Sequence, residues 1–408
     1  MSLALHVSGN KILDSNNNVV MLRGMGRIGF APDGIWGDKG MNLGDFGYQW
    51  QPINSTLTNY IDQTFQCYQQ VWHLNNVRIF FYPEWYFFDT VNPGGISTKQ
   101  YIKTLVQEAA KYGIYVDLVP YQLTACSNSF SSDPYLTPNQ GGGQGLPMAG
   151  FDTPGTNFIN STNMTESAFW TTFWKAIATD LGSYNNVIFE AWNEPAVTGN
   201  WGEPVNVNYQ TYLKLMYNAV RSVSSNLILM QWEMGDTPGD NGGLSWAKTI
   251  NTAVGGNPTN LAFTTHCYRY APTNLSSYWK GVNVTTWLQQ QIATMGVTAP
   301  LVINEAGSCL AYVPSSDLTN EYAWWTALNV ACNSNGVGLT AYYWLSDADL
   351  GPVYAGETVA TGPWPINASG PPPNQIGQIF INNAPAQPTG YSVTTNSKPE
   401  GITMSEVN

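Results

Sequence analysis

Short apolar runs alternate with amphipathic stretches along most of this 408-residue chain. The runs are Val77–Phe81, Ile114–Pro120, Val187–Trp192, Leu227–Trp232, Leu261–His266, Leu301–Glu305 and Leu339–Trp344, with a first strand at about 19–24. They are nearly continuous in hydrophobicity, the mark of strands covered on both faces. Between most of them lie stretches of helical period: Tyr60–Leu74, Tyr101–Tyr112, Glu166–Leu181, Tyr209–Ser222, Thr285–Met295 and Glu321–Asn335. The segment after the fifth strand is Gly-rich and its helical pattern is the weakest, while Gln375–Asn383 reads as a closing helix. Eight buried strands alternating with helices predict an α/β fold, a closed (β/α)₈ TIM barrel of parallel strands.

The beginning, LHVSGNKILDSNNNVVMLRG, reads as a β-hairpin feeding the first strand. Its Asn16-Asn17-Asn18 turn supplies residues that tolerate positive φ. The extra length falls at Met25–Asn59 and Gln122–Thr165, after the first and third strands. Both segments leave the C-terminal ends of strands, the face where barrels build their sites, and both are expected as cleft walls. With no repeat and no clear linker, residues 1–408 are read as one barrel domain, with a core at about 19–385 and a tail at 386–408.

Composition narrows the functional classes. Charged residues are 10% of the chain, against roughly 25% in ordinary soluble domains. Aromatics reach 13%, with 16 Trp and 23 Tyr. Few ions with many amides, hydroxyls and rings suit a neutral polyhydroxylated ligand, and equally an external, acidic medium. The net charge of −12 and the lack of a Lys/Arg cluster argue against nucleic acid and against a polybasic membrane anchor. No apolar run is long enough for a membrane-spanning helix. MSLALHVSGNK lacks the regions of an intact signal peptide, so a secreted protein would have lost its leader before this numbering begins. Six Asn-x-Ser/Thr sites, at Asn54, Asn160, Asn163, Asn274, Asn283 and Asn367, give weak support for secretion. The five cysteines, Cys67, Cys126, Cys267, Cys309 and Cys332, are scattered singly; at least one is unpaired, and one or two disulfides are open. No clustered His or H-E-x-x-H suggests a metal, and nothing resembles a nucleotide loop, so no cofactor is expected.

Two motifs carry chemistry. In VIFEAWNEP, residues 187–195, an apolar strand runs into Asn193 and Glu194, and Pro195 stops it. In LVINEAG, residues 301–307, Glu305 again stands at a strand end, and Gly307 permits a tight exit. The two Glu are 111 residues apart, consistent with the fourth and seventh strands. Breaking a glycosidic bond needs one acid to protonate the leaving oxygen and one carboxylate to attack or stabilise the anomeric carbon. Retaining enzymes hold the two about 5–5.5 Å apart. Such closeness also raises the pKa of one, which keeps it protonated as the acid.

WNEP on the fourth strand, INEAG on the seventh and LRG on the first together resemble glycoside hydrolase family 5, the cellulase-type members of the retaining (β/α)₈ clan. The resemblance implies Glu194 as acid/base, Glu305 as nucleophile and Asn193 as a partner of the sugar 2-hydroxyl. It implies that Arg78, in NNVRIFF, holds the nucleophile. In THCYRY, His266 would contact substrate or tune the acid/base, and Tyr268 would donate to Glu305. Trp344, in AYYWLSD, would floor the −1 subsite. The pattern departs once: family members carry a His near the end of the third strand, whereas IYVDLVPYQLTAC has none and Tyr121 or Gln122 stands there. Trp36, Trp50, Trp85, Trp201, Trp232 and Trp246 are further aromatics to weigh as subsite floors, Trp85 and Trp201 foremost because they follow strand ends.

The resulting expectation is a monomeric, secreted endo-β-1,4-glucanase acting on a β-linked polysaccharide without cofactor. β-Mannanase and xyloglucanase are its neighbours, since the same two-carboxylate chemistry serves them. A non-catalytic carbohydrate-binding barrel would keep the aromatics but would not need both carboxylates, Asn193 and the H-x-Y.

Overall fold

The computed structural model describes residues 3–27, 55–81, 83–89, 91, 97–120, 164–193, 207–231, 243–269, 279–307, 313–342 and 375–385. A two-stranded hairpin, β1 (His6–Ser8) and β2 (Lys11–Leu13), precedes the first barrel strand β3 (Arg23–Arg27). Then follow α1 (Ser55–Gln70), β4 (Asn76–Phe81), α2 (Pro83–Phe87), α3 (Thr98–Lys111) and β5 (Tyr115–Pro120). The middle of the chain forms α4 (Glu166–Leu181), β6 (Val187–Glu190), α5 (Val207–Arg221), β7 (Ile228–Met230), α6 (Trp246–Ala253) and β8 (Leu261–Tyr268). It ends with α7 (Val284–Thr294), β9 (Leu301–Gly307), α8 (Leu318–Asn335), β10 (Gly338–Ala341) and α9 (Gln375–Asn382). Strands β3 to β10 are parallel and close on themselves, β10 pairing with β3. This is the (β/α)₈ barrel that the alternating pattern predicts. The two long segments expected as cleft walls lie mostly outside the described residues.

Local chemistry sets several boundaries. Thr165 caps α4, its hydroxyl accepting from the Ala168 N–H at 3.3 Å. Ser97 caps α3 and Asn283 caps α7 in the same way. Gly336 ends α8 in the left-handed region at φ 68°. The first barrel strand starts later than its hydrophobicity suggests. Val19 and Val20 still belong to the hairpin: Val19 bridges Leu13, and the Val20 N–H donates to Ile12 at 2.8 Å. The Asn turn is real, with Asn17 at φ 64°. The chain enters the barrel only at Arg23, whose N–H donates to the Asn75 side chain at 2.7 Å.

Two apolar layers hold the barrel. Inside, Leu22, Tyr115, Ile188, Leu227, Leu229, Ala262 and Val302 fill the base, and Leu5, Ile12 and Val20 of the hairpin region plug it from below. Outside, alternate strand residues such as Val116, Phe189 and Ile303 pack against the helices in one large cluster. Much of the aromatic content belongs to this outer layer: Trp72, Trp170, Trp174, Trp192 and Trp325 are fully buried. Trp170 meets Trp192 edge-on at 5.4 Å, and the Tyr212 hydroxyl donates to the Ala191 carbonyl at 2.7 Å. Trp246 is core as well, packed on Phe263, and so is no subsite floor. Cys67, Cys267 and Cys332 are buried thiols outside any disulfide. Two disulfides are therefore excluded, and any single bridge would need Cys126 and Cys309, outside the described residues.

Helix α9 is clamped by a buried cation. Arg23 is 1% exposed, donates to Asn329 at 2.7 Å and to the Phe380 carbonyl, and lies 3.8 Å over the Phe380 ring. Burial pushes this guanidinium down to about 9. Truncating Phe380 to Ala should destabilise the protein by about 3–5 kcal/mol, since a buried ring is lost and Arg23 loses its cover. Urea unfolding at neutral pH measures this; a loss under about 1 kcal/mol would mean that α9 does not close the core.

Candidate active site

The site is organised around one guanidinium. Alternation along β4 turns Arg78 into the barrel, where it is fully buried. Its Nε and Nη2 donate to the two oxygens of Glu190 on β6, at 2.7 and 2.6 Å. Its Nη1 donates to Glu305 Oε2 at 2.7 Å, and Nη2 also donates to Asn193 Oδ1 at 2.9 Å. Phe80, two residues further along β4, lays its ring 4.6 Å from the guanidinium carbon. Asn193 is anchored to the neighbouring strand end by its N–H, which donates to the Pro120 carbonyl at 2.9 Å.

Glu305 reaches this position through a bulge. Val302 points inward and Ile303 outward, so strict alternation would send Asn304 in and Glu305 out. The register with β8 slips between Thr265↔Ile303 and His266↔Glu305, and the register with β10 slips at the same place. One extra residue in β9 therefore turns Glu305 back into the barrel, as bulges beside functional sites do. There its Oε1 accepts from the Tyr268 hydroxyl at 2.5 Å and lies 3.5 Å from His266 Nδ1. Gly307 permits this fit: a Cβ there would come within 2.9 Å of the Tyr268 ring and 2.8 Å of the Tyr342 carbonyl. Tyr342, after β10, completes an aromatic edge, 6.4 Å from Tyr268 and 6.2 Å from Phe80.

The electrostatics follow from burial. Desolvation works hardest against the charge on Arg78, but Glu190 and Glu305 together outweigh it, so the guanidinium is held above its ordinary value. Burial likewise raises Glu305; Arg78 and the Tyr268 hydrogen bond pull it back, and the net displacement is upward. Burial and the Arg78 charge push His266 well below its ordinary value, so it is a neutral imidazole. The result is a carboxylate aimed at the mouth, gripped by a permanent cation and a phenol, beside an uncharged imidazole.

The structure thus brings together Arg78, Asn193, His266, Tyr268 and Glu305 of the residues singled out from the sequence. Glu194, Tyr121, Trp201 and Trp344 lie outside the described residues, and of Trp85 only its backbone position in α2 is described. Arg78 donates to Glu305, and Glu190 takes two further donors of the same guanidinium. Glu190 and Asp117 were legible only in part, since alternation puts Glu190 on the face of Ile188 without naming its partner. The strand-end rings Phe80 and Tyr342 were hidden among many aromatics.

Carboxylates at the C-terminal ends of barrel strands, held by a buried arginine, are the apparatus of a barrel glycoside hydrolase. Residues 39–348 match the family model for cellulase, and the chain belongs to that family, glycosyl hydrolase family 5. An endoglucanase of Clostridium saccharobutylicum is 23% identical over 287 residues, a stretch covering 68% of this chain and 46% of that protein. The chain thus matches less than half the length of that relative. Among solved structures, the catalytic domain of the major endoglucanase from Xanthomonas campestris pv. campestris superposes with a TM-score of 0.59 at 17% identity, covering 93% of this chain and 99% of that one. A hyperthermophilic endocellulase from the archaeon Pyrococcus horikoshii gives 0.57 at 14% identity, covering 93% and 100%. At such identities these likenesses speak for the fold.

Replacing Arg78 by Met leaves Glu190 and Glu305 buried without their cation. The variant should lose about 3–5 kcal/mol at pH 7, the usual cost of breaking a buried ion pair from one side. The deficit should shrink in acid, where carboxylates are neutral. Denaturant unfolding at both pH values tests this, and a pH-independent deficit would contradict the electrostatic origin.

Proposed function

We propose that this chain is a secreted, retaining endo-β-1,4-glucanase, with Glu305 as nucleophile and Glu194 as general acid/base. The observation that carries the reading is the grip on Glu305: one oxygen bound by Arg78, the other by Tyr268, at the mouth of the barrel. A carboxylate so held is oriented for attack rather than left to rotate. Glu194 directly follows Asn193 in the chain, and the Asn193 side chain is bound to the same guanidinium as Glu305. Glu305 and the residue that directly precedes Glu194 thus share one cation.

In the first step a Glu305 oxygen forms a bond to the anomeric carbon. The bond to the departing sugar breaks, and Glu194 delivers its proton to the leaving oxygen. In the second step Glu194 takes a proton from water, whose oxygen bonds to the anomeric carbon as Glu305 leaves. Asn193 and neutral His266 would meet sugar hydroxyls beside that carbon. The endoglucanase and endocellulase descriptions of the similar proteins support a β-glucan as substrate, and the ion-poor composition suits a neutral polymer outside the cell.

Three measurements test the reading. Glu305→Gln should lower kcat on carboxymethylcellulose by more than about 10⁴-fold without loss of folding. Proton NMR of the first product should show the β-anomer; an α-anomer at the start would refute a glycosyl-enzyme intermediate at Glu305. Tyr268→Phe removes a hydrogen bond that lowers the Glu305 pKa. Its folded-state value therefore rises further, and the acidic limb of kcat/KM, which reports ionisation of the nucleophile, should move to higher pH. A limb that stays in place would remove Tyr268 from this role.

A further inference from the structure

Beneath the Glu305 site, a second acid is sealed into the barrel without a hydrogen-bonded counterion among the described residues. Asp117 on β5 is 0% exposed. It is the register partner of Arg78 across β4 and β5, and of Ile188 across β5 and β6. Arg78 nonetheless places its printed contacts on Glu190, Glu305 and Asn193, not on Asp117. Both Asp117 oxygens are buried and face no donor among the described residues. Glu190 stands two residues beyond Ile188 on the same inward face of β6, so its carboxyl bears on that of Asp117. Two carboxyl groups in contact away from water form a favourable contact only if one carries a proton between them. Glu190 accepts two charge-assisted bonds from Arg78, so the proton resides on Asp117.

We infer that Asp117 is a positioning residue: a neutral carboxylic acid whose O–H donates to Glu190, holding Glu190 turned so that Arg78 can grip Glu305 and Asn193. The charge count favours this arrangement. Arg78 from β4 and Glu190 from β6 bear on Asp117; His266 from β8 and Glu305 from β9 face the same Arg78, and Tyr209 from α5 faces Glu190. His266 and Tyr209 are neutral, the first pushed down and the second up, chiefly by burial. One cation then faces two carboxylates, Glu190 and Glu305. A third negative charge in the same enclosure would compete with Glu305 for Arg78 and oppose its ionisation. Burial, then the Glu190 charge, holds Asp117 well above the usual carboxylate range.

The sign of the linkage makes this testable. A carboxyl raised in the folded state contributes stability that is fully present below its unfolded value, about 3.9, and lost as pH rises towards the folded value. Asn at position 117 keeps a donor for Glu190 but does not titrate. The melting temperature of Asp117→Asn, relative to wild type, should therefore climb between pH 4 and pH 7. The infrared difference spectrum of wild type minus Asp117→Asn at pH 7 should contain a protonated-carboxyl band. Absence of that band, or a variant that becomes relatively less stable towards pH 7, overturns the inference.

The functional arm rests on the glucanase reading above. On carboxymethylcellulose, Asp117→Leu, which offers no donor, should lose more than 10-fold in kcat/KM. Asp117→Asn should recover most of that loss, with its acidic limb where the wild type has it. A limb displaced to lower pH by the Asn variant would mean that a negative charge had been removed, and would refute a neutral Asp117. If Asp117→Leu matches wild type, positioning is refuted; if it fails to fold, the Asn limb and the infrared band still decide. Should the wild type hydrolyse no β-glucan, the proposed function fails by itself, while the spectroscopic and thermal arms still report on Asp117.

Discussion

A guanidinium wholly removed from water governs this molecule. A buried cation is tolerated only when its donors are satisfied by well-placed partners. Arg78 meets that demand by drawing Glu190, Glu305 and Asn193 from two other strands onto one planar fork. The same contacts that make its burial tolerable hold the strand ends β6 and β9 in fixed relation. Stability of the upper barrel and orientation of the site are therefore one arrangement.

The barrel is graded along its axis. Its base is apolar and plugged by the hairpin region; its upper interior holds Asp117, Glu190, His266 and Glu305, all buried. Polar groups this deep are costly unless each proton has a defined place. Tyr268, neutral His266 and the acid pair at Asp117 and Glu190 supply those places. Burial is thus the common cause behind three displacements: Glu305 and Asp117 upward, His266 downward.

The aromatic wealth of the chain has a double use. Trp170, Trp174, Trp192 and Tyr212 build the wall behind β6, and Tyr212 ties its hydroxyl to the strand backbone at Ala191. That wall supports the strand from which Glu190 and Asn193 project. Phe80, Tyr268 and Tyr342 instead line the strand ends around Glu305. Composition alone did not separate these groups, because a ring against a strand and a ring beside a site have the same frequency signature.

The order of strands and helices was legible in the sequence, because burial on both faces and helical period leave local marks in the chain. Glu166–Leu181 appears with its predicted ends, set by the Thr165 cap. The strand-end positions of Asn193 and Glu305, and their association with Arg78, His266 and Tyr268, were also accessible through motif resemblance. Other features depended on contacts between segments distant in sequence. Val19 and Val20 look like barrel strand and serve the hairpin, because pairing with Leu13 and Ile12 competes successfully. Alternation alone points Glu305 away from the site, and only the register slip against β8 and β10 turns it inward. The meeting of Asp117 with Glu190, and the sharing of Arg78 between two acids, likewise required closure of the barrel. A local pattern records which face of an element is buried; register and closure decide which buried groups meet.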